Sequence, residues 1–230
     1  MFSENALTYK GKSAILGFAK MQKQKGYIIM ENLWQMFTTT LGSAAVIAAI
    51  SSVFFASRKR KELHKNNKNL HRVIVAILFG LLSIYASASA IQVDGALCNC
   101  RNLAPLYAGL VSGPIGGIGA ALIGGLFRYF VYGGASALPC MLACFLAGII
   151  GSVAHIVVKK EYRYKLTTGL CVSVLTEGCH MLLLIAFGLG ETAGKIALPI
   201  MLANILGMAF CLYIYKHFDH SEPKETKTEE

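Results

Sequence analysis

The sequence predicts an all-α fold, a polytopic helical bundle embedded in a membrane, and three observations carry that prediction. The chain is 55% hydrophobic and only 15% charged, against about 45–50% and about 25% for an ordinary soluble domain. Its mean hydropathy is +0.54. The apolar residues come in unbroken runs near the ~20 residues that cross a bilayer, not in amphipathic alternation. The formal net charge of +10 would suggest nucleic acid in a soluble protein. Here the basic residues lie between the apolar runs, where membrane topology accounts for them. No nucleic-acid partner is expected.

Residues 1–30 are polar and mildly basic and lack the apolar core of a signal peptide. The first span is expected at about 33–56, followed by spans at about 73–91, 137–158, 166–187 and 196–215. Between the second and third lies a different object, Leu103 to Val131, apolar but carrying Gly109, Gly113-Pro114, Gly116-Gly117, Gly119 and Gly124-Gly125. A Gly-Pro step with further glycines interrupts a helix. The arm before it is too short to cross and the arm after it is borderline.

Charge sets the expected orientation. The loop from Arg58 to Arg72 and the loop from Lys159 to Lys165 are rich in Lys and Arg and should be cytoplasmic. Residues 103–131 must then begin and end outside, as a Gly-Pro-broken re-entrant hairpin does. Irregular backbone at membrane depth survives only where protein or a water-filled cavity covers it. The C-terminus is expected inside, with the membrane domain over 31–218 and a disordered tail over 219–230. The lysines before Met30 would lie outside, against the rule, so Met30 is expected to be the true start.

Arg128 is the first functional candidate, because an arginine among membrane-grade segments is costly unless it snorkels or serves a site. It sits beside the glycine turn Gly133-Gly134, and Arg101 lies at the mouth of the hairpin's other arm. Two guanidiniums there can converge on an anion and match a carboxylate bidentately. Cys140 follows Pro139 at the outer start of the next span, where free helix N–H groups also favour an anion. Ser136 is expected to cap that helix. Glu177 and His180 lie within a helical turn of each other, and Glu177 is expected to balance an arginine. Gly113 and Pro114 are expected at the pocket floor, and Asn204 as an interhelical hydrogen-bond donor. The seven cysteines include no CxxC pair, and the six histidines form no metal-ligand helix pattern. Neither a metal nor a cofactor is expected, and no phosphate loop or nucleophile elbow occurs.

These residues resemble a known family. Asn99-Cys100-Arg101, Ala-Gly-Leu-Val-Ser-Gly-Pro at 108–114, Gly-Gly-Leu-Phe-Arg-Tyr at 124–129, Gly-Gly-Ala-Ser-Ala-Leu-Pro-Cys at 133–140 and Leu-Ala-Gly-Ile-Ile-Gly at 146–151 resemble the five-transmembrane receptor region of LytS-type sensor histidine kinases. Glu177-Gly-Cys-His-Met at 177–181 and Leu-Pro-Ile-Met-Leu-Ala-Asn-Ile-Leu-Gly at 198–207 fit its last two spans. The resemblance covers about 73–215. It implies a bacterial cytoplasmic-membrane sensor in a two-component pathway, tied to cell-wall and autolysis control, with some members recognising extracellular pyruvate. It places the family's paired arginines on Arg101 and Arg128 and its pocket cysteine on Cys140. Phe127 stands where the family usually has His, and Ala143 where it usually has a hydroxyl residue. Family members continue into a kinase region, whereas this chain stops soon after His220 and is not expected to be an enzyme itself. The expected partners are a small pyruvate-like carboxylate, a cytoplasmic kinase or response regulator, the bilayer and a second copy of the chain. The alternative function is the substrate-binding component of a small-solute transporter.

Overall fold

The computed structural model describes the backbone of residues 3–219, and the side chains of residues 30–217 apart from 58, 59 and 61. The chain falls into two compact units, 1–36 and 37–230. Helix α1 runs over Ser3–Ala56, α2 over Arg58–Asn66 and α3 over Lys68–Ala88. A hairpin follows, β1 over Ile91–Val93 and β2 over Ala96–Cys98, then α4 over Leu103–Ser112 and α5 over Pro114–Phe127. A π turn over Arg128–Tyr132 leads to α6 over Ala137–Val157, α7 over Lys160–Arg163, α8 over Leu166–Ala186 and α9 over Gly190–Asp219. Six helical stretches are long and apolar enough to cross a membrane: Met30–Ala56, Lys68–Ala88, Pro114–Tyr132, Ala137–Val157, Leu166–Ala186 and Gly190–His217. The molecule is a polytopic helical membrane bundle. The expected spans are recovered, and Pro114–Tyr132 joins them, because the π turn extends the second arm to 19 residues. The tail expected to be disordered lies, from His220 on, outside the described residues.

Local chemistry sets the element boundaries. Asn67 caps α3, its side-chain oxygen accepting from the Leu70 N–H at 3.0 Å. Gly113, at φ +79°, breaks α4 from α5, and Pro114 takes the first-turn position of α5, where its missing N–H costs nothing. The strand pair was not anticipated. Val93 pairs with Ala96 across the two-residue turn Asp94-Gly95, at φ +45° and +80°. Both positive values suit the type I′ turn that an Asp-Gly step favours.

Within the second unit, α3 packs along α5, and α4 packs against both α5 and α6 while also touching α8 and α9. The α4–α5–α6 contact is made at backbone distance. A Cβ placed on Gly117 would lie 2.6 Å from Gly109 Cα and 2.7 Å from the Gly148 carbonyl oxygen, and one on Gly148 would lie 2.5 Å from the Gly117 carbonyl oxygen. Small residues let membrane helices approach this closely. Because the obstructing atoms are backbone, Gly148→Ala must force α5 and α6 apart. Unfolding in detergent should register a loss of about 1–3 kcal/mol.

The candidate anion site

The site forms where α4 begins. The chain leaves β2 at Cys98 and passes through Asn99 and Cys100 to Arg101 and Asn102, all five of them buried. Arg101 and Arg128 are each only 1% exposed. The Arg101 guanidinium donates from Nη2 to the Cys140 carbonyl at 3.2 Å, while its Nε and Nη1 have no hydrogen-bond partner. Arg128 donates from Nη1 to the Gly133 carbonyl and from Nη2 to Ser136 Oγ, each at 2.8 Å, and its Nε has no partner. Both arginines therefore converge on the start of α6, one on its first-turn carbonyl and the other on the residue just before the helix.

Ser136 does something other than what was expected of it. Its hydroxyl makes no cap to α6. It donates instead to the Gly95 carbonyl at 2.9 Å and accepts from Arg128, which ties the hairpin turn to the arginine. Gly133, at φ +55°, turns its carbonyl to the same guanidinium. Gly134 follows in the same turn at φ +82°.

Glu177 does not pair with an arginine, contrary to the expectation. Its Oε1 accepts from Asn102 Nδ2 at 3.2 Å and Asn204 Nδ2 at 3.0 Å, and its Oε2 lies 3.1 Å from His180 Nδ1. No ion pair joins it to Arg101 or Arg128 among the described residues. The physical reason is position: Glu177 and His180 share one face of α8 at i, i+3, and α4 and α9 each bring an asparagine to that face. With Nδ1–H donating to Glu177, the other ring nitrogen of His180 faces Cys140 Sγ at 3.6 Å. Cys140, His180 and Glu177 thus form a connected chain from α6 to α8, extended by Asn102 and Asn204 to α4 and α9. The role expected of Asn204 is met. Asn102 escaped sequence reasoning, because its place depends on a helix that starts inside the bundle.

Gly113 and Pro114 do not belong to this site. Ten-residue α4, ~15 Å long, separates them from Arg101. Gly113 lies against the ring of His155, in the last turn of α6, whereas Cys140 is in its first. The hairpin bend is therefore at the far end of α6 from the arginines, not beneath them.

Cys98 and Cys100 are free and buried, and among the described residues no cluster of His, Cys, Asp and Glu could hold a metal. Burial pushes the Cys98 thiol up to about 12 and raises that of Cys100 as well. Both therefore stay protonated at neutral pH, and the thiolate is the reactive form. Maleimide applied to the folded protein at pH 7.5 should leave both unmodified, and peptide mapping before and after denaturation checks this.

Arg101 and Arg128 are thus two buried cationic side chains that meet at the start of α6 in a helical membrane domain. Comparison with known proteins then supplies the family. A family model described as "5TMR of 5TMR-LYT" matches residues 53–217, most of the chain, and the chain belongs to that family. It is 28% identical over 186 residues to the sensor histidine kinase YpdA of Escherichia coli K12, covering 76% of this chain and 32% of that protein. It is 28% identical over 153 residues to the sensor histidine kinase BtsS of the same strain, covering 63% and 27%. It is 27% identical over 197 residues to the sensor protein LytS of Bacillus cereus, covering 77% and 33%. The chain spans about a third of the length of these relatives. No solved structure matches it.

Proposed function

We propose that this chain is the signal-sensing membrane domain of a two-component system, and that its arginine pair binds a small carboxylate arriving from the outer side. One observation carries the ligand class: three guanidinium nitrogens, Arg101 Nε and Nη1 and Arg128 Nε, have no partner in side chains that are 1% exposed. Buried polar groups are nearly always hydrogen-bonded, and an unpaired buried charge costs several kcal/mol. A small carboxylate offsets that cost and accepts in the bidentate geometry that a guanidinium favours. A 2-keto acid such as pyruvate suits the site, since its carbonyl adds an acceptor for the second arginine.

The orientation rests on the basic loops, 58–72 and 159–165, lying in the cytoplasm. The β hairpin and the Gly133-Gly134 turn then face outward above the site, α4 runs inward from it, α5 returns to the outer side, and the C-terminus is cytoplasmic. An anion drawn to Arg101 acts two residues before the start of α4. The far end of α4 lies against His155 near the inner loops, so α4 is the element through which occupancy reaches a cytoplasmic kinase or response regulator. A ligand shifts the equilibrium only if it prefers one position of that helix.

Thermal unfolding of the purified protein against small carboxylates and their neutral analogues tests this reading. An acid at about 100 times its Kd should add about 2.7 kcal/mol to the wild type and nothing to Arg101→Ala. If no acid stabilises the wild type, the arginines are structural and the ligand reading fails.

A further inference from the structure

At the other end of the bundle, away from the arginine pair, is a cavity of about 660 Å³. Six cationic residues line it: Arg60 and Lys65 from α2, Lys68 and Arg72 from α3, and Lys160 and Arg163 from α7. The sole carboxylate among its lining residues is that of Glu62, which is exposed. The positive-inside rule accounts for cations that face water. It does not account for Arg60, which turns inward and is only 8% exposed. Its guanidinium lies 5.1 Å from the centre of the Phe55 ring and donates from Nη2 to the Phe55 carbonyl at 3.0 Å, yet its Nε has no partner. His71, 4% exposed, likewise has an unpartnered Nε2, and so does the Nε of half-buried Arg163.

We infer that this cavity is a binding site for a phosphate ester, distinct from the carboxylate site at the other end of α6. Like charges gathered around a partly enclosed space repel one another, and a ligand carrying one or two negative charges reverses that cost. The volume falls within the ~300–1,000 Å³ of small-molecule sites, too large for phosphate alone. Phe55 and the tilted pair Tyr164–Tyr215, with ring centres 4.4 Å apart, give the rest of the ligand an apolar wall. Two sources carry this chemistry: the headgroup of an anionic phospholipid in the facing leaflet, and a soluble nucleotide. Basic pockets between membrane helices take lipid headgroups by the same physics. Val111 and Ser112 also line the cavity, and the ring of His155 donates from Nδ1 to the Leu110 carbonyl at 2.8 Å. The site thus abuts the end of α4.

The full chain in nanodiscs separates the two sources. One arm titrates ADP into phosphatidylcholine discs, and the other compares discs with and without phosphatidylglycerol, followed by melting temperature and by lipid retained in native mass spectrometry. One arm or the other should raise the melting temperature of the wild type. The probe should bind about thirtyfold more weakly to the double variant Lys65→Gln/Lys160→Gln, whose replaced residues are both exposed and should leave folding intact. Arg60→Gln should abolish the shift, and Arg101→Gln should retain it. Lys195→Gln, a charge loss at an exposed residue outside the cavity, should also retain it. No response to either probe overturns the inference. So does a response that the lysine double variant keeps, or that Lys195→Gln loses equally.

Discussion

Arg101→Gln is expected to weaken binding of a small carboxylate by about thirtyfold or more, the loss that follows when one partner of a buried charge-assisted pair is removed, about 2–5 kcal/mol. Arg101 has the most to lose, since only its Nη2 is engaged within the protein, by the Cys140 carbonyl. Arg128→Gln should cost less in affinity, because two of its nitrogens already serve Gly133 and Ser136. Its removal should instead loosen the turn that Ser136 ties to Gly95. Arg101→Lys should not restore binding, because an ammonium cannot present the planar fork that a carboxylate accepts. Equilibrium titration of the variants in detergent reads all three effects, and equal losses at both positions would contradict this division of roles.

Glu177→Ala is expected to have the largest effect on stability, about 3–5 kcal/mol. The carboxylate is the shared acceptor for Asn102, Asn204 and His180, and its loss takes a partner from all three buried groups, leaving Asn204 its bond to the Ile200 carbonyl at 3.1 Å. Each such group costs about 1–3 kcal/mol, less where relaxation or water recovers part of the loss. Glu177→Gln should be milder, because the amide keeps one accepting oxygen but turns its NH2 toward another donor. A chemical or thermal denaturation series that ranks wild type above Gln and Gln above Ala supports this. An Ala variant as stable as the wild type would show that the network contributes nothing to the fold.

The spans were legible in the sequence because crossing a bilayer demands uninterrupted apolar length, and that demand is visible one residue at a time. The burial of Arg101 and Arg128 bears on a related point: a charge among such residues is an exception that needs a cause. What escaped depends on three-dimensional meeting points. Glu177 has no sequence neighbour that reveals its bond to Asn102, 75 positions away. Ser136 looks like a helix cap and is instead the link between Arg128 and a hairpin turn. That hairpin was signalled by Asp94-Gly95, but strands of three residues carry too little alternation to stand out. The break at Gly113-Pro114 is visible in the sequence, but its place against His155, away from the arginines, is not. Sequence gives the position of a bend along the chain, whereas its distance from the site depends on where α4 starts within the bundle. The inward turn of Arg60 was hidden among basic neighbours that orientation alone explains.

The central claim is that two buried arginines hold a carboxylate, and binding of radiolabelled pyruvate to the purified protein tests it most directly. The account predicts saturable binding at one site per chain, displaced by other small 2-keto acids and not by neutral pyruvamide, which has the same shape without the charge. Absence of saturable binding, or displacement by pyruvamide as effective as by the acids, would contradict it.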